Sequence, residues 1–202
     1  TITPTRGKKV RIPPRDRQNM PAPLDLPEMK IGVAYIDDDK QRVDEPMDFS
    51  VKNWVGLRDF HRLTQAIVLP EHPDTPKLGL DAKHLKFLRQ AMSEDPLASE
   101  NPAYDDEKKS ELRYKTMLEG VLRKHPRERI TYVNKAGRAY GFHLENAYLR
   151  DRSSKKAFFV TVVLYVNENG VLNDNLYQYD PVSRPFLKDL GEALAVELFV
   201  KD

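Results

Sequence analysis

The sequence predicts an α+β fold, in which an antiparallel sheet is packed by a covering C-terminal helix and by a layer of earlier helices. Apolar residues recur at helical spacing over residues 51–69, 81–92 and 105–124, and strand-like segments follow them. A last helical pattern closes the chain, at Phe186, Leu187, Leu190, Leu194 and Leu198. This order is typical of an α+β domain, and 202 residues are enough for one hydrophobic core.

Residues 1–30 differ in composition from the rest of the chain. They hold prolines at positions 4, 13, 14, 21, 23 and 27, with arginines and lysines scattered among them. Because proline blocks helices and central strands, we predict an extended Pro-rich basic arm over residues 1–30, followed by a domain over residues 31–202. A solvated arm is the favoured interpretation, and contact with an acidic partner is the alternative.

Charge and residue types exclude several classes of function. The 33 basic residues nearly balance the 31 acidic ones, which argues against a nucleic-acid partner. The chain has no cysteine, and its five histidines lack paired ligand spacing, so we predict no metal site. There is no glycine-rich phosphate loop, so we predict no cofactor, and no apolar run reaches the ~18 residues of a membrane span.

Caps and prolines delimit the helical patterns. The first pattern ends at Pro70, and Asp48 or Ser50 is available as its N-terminal cap. The second pattern begins at Asp81 and has an apolar stripe that predicts one buried face. The third has acidic residues at its start and basic residues at its end, which the helix dipole favours, so one continuous helix is predicted over residues 105–124.

Strands are predicted over Ile130–Val133, Tyr140–Arg150 and Ala157–Val166. The polar residues 151–156 are too few for a helical crossover, so the second and third strands are predicted to be antiparallel. The third strand is apolar on both faces, which predicts a central position in the sheet. A shorter apolar run, Ile31–Ile36, predicts a further strand that ends in an acidic turn.

The most informative segment is Asn134-Lys135-Ala136-Gly137-Arg138-Ala139-Tyr140-Gly141-Phe142, followed by Glu145-Asn146-Ala147-Tyr148. It resembles the third active-site motif of class A β-lactamases and penicillin-binding proteins, a Lys-Thr-Gly triad on an edge strand. The resemblance extends over residues 45–198. It implies a β-lactamase/transpeptidase-like fold that is incomplete at the N-terminus, with residues 31–202 forming the C-terminal part of the catalytic domain.

The resemblance also implies roles for the residues of the motif. Lys135 would supply the positive charge that attracts a substrate carboxylate, and Gly137 would let the substrate backbone approach closely. The backbone N–H of Arg138 would form half of the oxyanion hole, and Tyr140 would pack behind it. Ala136 lies at the substrate-binding position where the family has threonine, so the hydroxyl that binds a substrate carboxylate is missing here.

The family's nucleophile motif, Ser-x-x-Lys, is missing upstream of this strand. The only match, Ser153 to Lys156, lies in the polar connection between two strands and is interpreted as a solvated turn. The triplet Ser99-Glu100-Asn101 imitates the family's second motif but is too close to Lys135 in sequence, so a loop is expected there.

The resemblance therefore implies acyl transfer through a serine that is not present in this chain. An upstream half of the same polypeptide, or a cleaved partner segment, would supply that serine, and the substrate would be a small-molecule or peptide acyl compound. The family implies an extracytoplasmic location, either periplasmic or lipid-anchored through a missing N-terminus. The alternative is a non-catalytic binding or structural protein on the same scaffold, which Ala136 favours slightly.

Overall fold

The computed structural model describes residues 29–50, 52, 55–99 and 111–199. Nearly all of the predicted basic arm, the start of the first predicted helix and residues 105–110 of the third lie outside the described residues. The prediction of an α+β fold with antiparallel strands and helices is confirmed.

The main sheet has three antiparallel strands in the order β5 (Ile130–Ala139), β6 (Phe142–Asp151) and β7 (Ala157–Tyr165). The predicted antiparallel pairing is confirmed, because Lys135 lies opposite Asn146 and Asn146 lies opposite Thr161. The prediction that the third strand is central is wrong for the described part of the chain. There β6 is the central strand, and β7 is at the edge.

One face of the sheet, called the α5 face here, packs against α4 (Thr116–Val121) and α5 (Arg184–Leu198) and forms the hydrophobic core. The buried core residues are Met117, Leu118, Val121, Ile130, Tyr132, Ala147, Leu149, Leu187, Ala195 and Phe199. A π-helical turn over Tyr179–Ser183 leads into α5. The predicted C-terminal helix therefore covers the sheet, although Phe186 and Leu198 of its expected stripe are exposed.

The opposite face of the sheet, called the α1 face here, packs against α1 (Leu57–Val68). The buried Asn146 of β6 donates its side-chain N–H groups to the Phe60 carbonyl at 2.9 Å and to Thr64 Oγ1 at 2.8 Å. The predicted N-terminal cap of this helix is wrong. The capping position is Gly56, and Asp48 instead accepts a hydrogen bond from the Ser50 N–H.

The helix α2 (Ala82–Ser93) lies beside β5 and begins where the sequence predicts. Asp81 caps it by accepting a hydrogen bond from the His84 N–H at 2.8 Å. The predicted face is buried only in part, because Leu85, Leu88 and Met92 of its stripe are half-buried and no residue of α2 is fully buried. A short 3-10 turn over Pro96–Ala98 follows it.

The single helix predicted over residues 105–124 is divided within its described part. The helix α3 (Glu111–Tyr114) and α4 are separated by Lys115, whose φ of −120° and ψ of 63° are not helical. The buried Lys115 ammonium binds Glu111 Oε1 at 2.7 Å and the Ser93 carbonyl at 2.6 Å. These contacts tie the break to the end of α2. A 3-10 turn over Arg127–Arg129 then leads into β5.

Two small sheets lie beside the main one. One pairs β1 (Lys30–Ile31) with β4 (Met47–Asp48). The other places β2 (Ala34–Ile36) between β3 (Arg42–Val43) and β8 (Val171–Leu172), and its β2–β8 pair is parallel. The strand predicted over Ile31–Ile36 is thus interrupted, since Gly32 turns the chain at a φ of +80°. In the described ranges, no helix is both long and apolar enough to cross a membrane.

Candidate functional site

The turn between β5 and β6 determines which backbone groups face the free edge of β5. Tyr140 and Gly141 have φ values of 54° and 84°, as a two-residue type I′ hairpin requires. In such a turn the flanking residues, Ala139 and Phe142, form a hydrogen-bonded pair. Pairs alternate along an antiparallel ladder, so Arg138, opposite His143, belongs to a pair that is not hydrogen-bonded. The backbone N–H of Arg138 therefore points away from β6, towards the outer edge of the sheet.

Lys135 extends to the same edge. Its side chain is exposed and starts from the α1 face of the sheet, where it shares its register with Asn146. Its ammonium donates to the carbonyl oxygen of Ala136 at 2.5 Å. By the same alternation this carbonyl points outward from β5, so the Lys135 ammonium lies at the edge to which the Arg138 N–H points.

Gly137 leaves this edge uncovered. A Cβ atom at Gly137 would meet no atom within 4 Å. The φ of Gly137 is not in the left-handed region. The strand therefore presents bare backbone between Lys135 and Arg138. The structure brings together three of the residues that the sequence singles out, through a cation, an open glycine and an outward N–H.

Two other residues of the motif lie elsewhere. The side chain of Ala136 is on the α5 face, in register with Glu145 and opposite to the side from which Lys135 starts. Tyr140 lies in the hairpin turn, and its ring contacts Phe49 edge-on with centroids 5.0 Å apart. The prediction that Tyr140 packs behind the Arg138 N–H is wrong, because the two-residue turn carries it beyond the end of the strand.

A cleft of about 490 Å³ lies beside the outer edge of β5. Its lining includes Met92 of α2, Arg113 of α3, the strand segment Lys135–Arg138 and His143. The strand that carries the motif thus forms one wall, and the helices predicted as a separate layer form the other. A substrate group bound against β5 would occupy this space.

Beneath the cleft lies a buried carboxyl group. Glu145 is fully buried, and its Oε1 accepts hydrogen bonds from Asn134 Nδ2 at 2.6 Å and the Tyr132 hydroxyl at 3.1 Å. Among the residues that the structure describes, its Oε2 has no hydrogen-bond partner. Burial raises the pKa of the Glu145 carboxyl to about 7. Asn134 also donates to the Tyr114 carbonyl at 2.9 Å, so this network supports β5 next to Lys135.

His143 forms a second buried polar contact behind the cleft. Its Nδ1 lies 2.7 Å from the hydroxyl of Ser183, at the entry to α5. Burial, and then the positive charges of Arg138 and Arg184, lower the pKa of His143 to about 4. The imidazole is therefore neutral at pH 7.

The serines that imitate family motifs do not join this site. The Ser153 N–H and hydroxyl both donate to Asp151 Oδ1, at 3.0 and 2.9 Å, in the connection between β6 and β7. The buried Asp151 carboxylate also binds Arg129, whose hydrogen bond lowers the pKa of the acid. The predicted turn is confirmed. Ser99 follows the Pro96–Ala98 turn, and residues 100 and 101 lie outside the described ranges.

Sequence reasoning gave no role to Glu145 or to the His143–Ser183 contact. One signal was present, because His143 and Glu145 alternate with Ala147 and Leu149 on the face of β6 that the core buries. A carboxylic acid in an apolar alternation predicts a buried acid with partners. The position of Ser183, which lies 40 residues away along the chain, had no such signal.

No protein-family model, no curated protein and no solved structure matches this chain. A family assignment therefore depends on the motif around Lys135 and on the geometry of β5. Both are local features of the last 70 or so residues.

Proposed function

We propose that this chain is the C-terminal portion of a β-lactamase-like serine hydrolase, which transfers an acyl group through a serine located outside this sequence. The substrate would be a small-molecule or peptide acyl compound. Lys135 would provide the positive charge, Gly137 the open approach and the Arg138 backbone N–H one donor of the oxyanion hole. The extracytoplasmic location that the family implies belongs to the same proposal.

The observation that carries the proposal is the outer edge of β5. The Lys135 ammonium, the bare backbone at Gly137 and the outward Arg138 N–H are consecutive along that edge and open into one cleft. Donors held by a sheet need no reorganisation when negative charge develops on a substrate oxygen.

The open side of the sheet supports the need for a further segment. In the described part of the chain, β7 pairs only with β6, so its other edge has no partner strand. Val163 and Tyr165 on the α1 face are 43% and 45% exposed. An upstream half of the polypeptide, or a cleaved partner segment, would pair with β7 and cover these residues.

A non-catalytic protein on the same scaffold is the second candidate, and Ala136 favours it. Where the family has a hydroxyl, this side chain offers no hydrogen bond, and it lies on the face of β5 opposite to the side from which Lys135 starts. Such a protein would bind an acyl ligand without forming a covalent bond. The presence of Ser-x-x-Lys in the coding region upstream of Thr1 would separate the two candidates.

In a protein that contains such an upstream segment, we expect Lys135→Ala to lower the acylation rate by on the order of 10²-fold, as removal of one electrostatic group does. Lys83→Ala is the matched control, because Lys83 is exposed on α2 and does not line the cleft. Rates of acylation by a chromogenic acyl substrate measure the effect. Equal rates for Lys135→Ala and the unmodified protein, with folding confirmed, would show that this strand is only structural.

The N–H of Arg138 can be tested separately from its side chain. Arg138→Ala keeps the N–H, whereas Arg138→Pro removes it, and an outward N–H at a sheet edge tolerates proline. We expect the proline variant to acylate at least ten times more slowly than the alanine variant. Equal rates for the two would remove this N–H from the mechanism.

A further inference from the structure

The cleft beside β5 carries an excess of positive charge. Three cationic side chains in its lining, Arg113, Lys135 and Arg138, face one carboxylate, Glu94. The cleft also has Lys115 in its wall, but the ammonium of this residue is already paired with Glu111 at 2.7 Å. The lining therefore has an excess of two positive charges. Asp180, outside the lining, also acts on Arg138, but its carboxylate already lies 3.5 Å from the Arg184 guanidinium.

Within the described ranges, neither Arg113 nor Arg138 forms an ion pair. The Arg138 guanidinium lies over the Tyr179 ring, 5.8 Å from its centroid. Burial, followed by the positive charges of Arg113 and Arg184, lowers the pKa of Arg138. Like charges repel one another most where water screens them least, as at the half-buried Arg138, so an anion in the cleft would relieve this repulsion.

One residue of the cleft wall, His143, is held in place by a hydrogen bond. His143, in the cleft lining, is held by Ser183 and is 2% exposed. The Arg138 side chain projects from β5 on the α5 face, and Arg138 lies opposite His143 in the β5–β6 pair. Groups that are already ordered lose little entropy when a ligand binds, so the cleft is suited to a specific contact.

We propose that this cleft is a binding site for a small dianion whose charge is carried by oxygen atoms, held by Arg113 and Arg138 with support from Lys135. The two uncompensated charges match a ligand of charge minus two. Guanidinium groups bind pairs of oxygens through parallel N–H donors, which suits a phosphate group or a dicarboxylate. A phosphate monoester and a dicarboxylic acid are the two sources of this chemistry.

The anion site does not depend on the proposed acyl transfer. All of its charged residues are in this chain, and binding needs no nucleophile. Dianion binding by this chain, together with no acylation by a longer protein that contains an upstream Ser-x-x-Lys segment, would keep this inference and refute the proposed function. Acylation by such a protein, with no dianion binding, would do the reverse.

The test is isothermal titration of the 202-residue chain with inorganic phosphate, phenyl phosphate, glutarate and acetate at constant ionic strength. We expect saturable binding of the dianions, at least tenfold tighter than binding of acetate. Preference for phenyl phosphate over glutarate would identify a phosphate monoester as the source, and the reverse preference would identify a dicarboxylate. Absence of saturable binding by every dianion would overturn the proposal.

Substitutions locate the site. Arg113→Gln and Arg138→Gln should each weaken dianion binding at least tenfold, as loss of a charge-assisted hydrogen bond does. Arg150→Gln is the matched control, because Arg150 is exposed on the α1 face and does not line the cleft. Arg113 is exposed, so its substitution tests the site even if the Arg138 variant does not fold. Equal weakening by all three variants would indicate nonspecific attraction and refute the site.

Discussion

At the scale of single residues, the buried acid Glu145 connects the stability of β5 to pH. Its Oε1 accepts hydrogen bonds from Asn134 and Tyr132, whereas Oε2 has no hydrogen-bond partner in the described part of the chain. A carboxylate in this position lacks solvation, so the protonated form is favoured in the folded chain. Asn134, the residue before Lys135, shares this network, and the protonation of Glu145 therefore acts on the strand that forms the candidate site.

We predict that the free energy of unfolding falls as pH rises through the range set by Glu145. Its pKa is about 7 in the folded chain against 4.5 for a free side chain. Because the folded value is the higher one, this contribution is fully present below pH 4.5 and is lost as pH approaches and passes 7. Relative to the Glu145→Gln variant, the wild type should lose about 3 kcal/mol over this range.

Urea unfolding at several pH values measures this difference, with Glu168→Gln as the control because Glu168 is exposed. The control should follow the wild type at every pH. Parallel pH profiles for the wild type and Glu145→Gln would contradict the assignment of the buried acid.

The sequence predicted part of the candidate site at this scale. The motif identified Lys135, Gly137 and Arg138, and the period-2 alternation of a strand keeps Lys135 and Gly137 on one face. The side chains of Ala136 and Arg138 fall on the other face for the same reason. The sequence did not predict that Arg113 lies near Arg138. Arg113 lines the cleft because the helix breaks at Lys115 and α3 lies next to β5, and neither feature has a local sequence signal.

At the scale of elements, the closest contact in the core is between α4 and α5. A Cβ atom at Gly120 would overlap the Lys188 carbonyl, and one at Gly191 would overlap the Met117 carbonyl. The two helices therefore approach to backbone contact at both glycines. Of the apolar positions of α5, Leu187 and Ala195 are buried, one helical turn to either side of Gly191.

We predict that Gly191→Ala destabilises the fold by about 1–3 kcal/mol, because it overpacks this helix contact. Helix propensity alone predicts the opposite sign, since alanine is favoured over glycine inside a helix by about 1 kcal/mol. The sign of the change in the free energy of unfolding therefore shows whether overpacking at the α4–α5 contact or the helix propensity of alanine is the larger effect. Urea unfolding measures it.

Gly137→Ala is the matched control, since the same atom would enter open space there. We expect its free energy of unfolding to be unchanged or slightly higher than that of the wild type. A Gly191→Ala variant more stable than the wild type would contradict the prediction, because it would mean that α4 and α5 can move apart with little loss of free energy.

Local patterns predicted the elements of this fold better than their boundaries and partners. Periodicity located α1, α2, α5 and the three main strands, and the start of α2 at Asp81 was predicted. The break at Lys115 was missed, because it depends on carbonyl groups of α2 that bind the ammonium from a distance in sequence. The parallel β2–β8 pair was missed for the same reason, since no local pattern links Ala34 to Val171.

At the scale of the whole molecule, the two outer edges of the main sheet have different surroundings. The outer edge of β5 faces the cleft, where α2 and α3 form the opposite wall. The outer edge of β7 has no partner strand among the described residues, and its apolar composition on both faces led to the prediction of a central strand. A sequence that is apolar on both faces suits a strand flanked by partners, so the composition of β7 favours an added segment at this edge.

The last prediction concerns the chain on its own. We expect the 202-residue chain to form no covalent adduct with a penicillin, because its one Ser-x-x-Lys match is a turn in which Asp151 accepts the Ser153 hydroxyl at 2.9 Å. A serine needs an adjacent base to become a nucleophile, and oxyanion donors without one give only a small residual acceleration. Intact-mass measurement after incubation with a penicillin should show the unmodified mass, whereas a chain extended by an upstream Ser-x-x-Lys segment should gain one acyl group. An added acyl mass on any serine of the 202-residue chain would contradict the division of the active site between two segments.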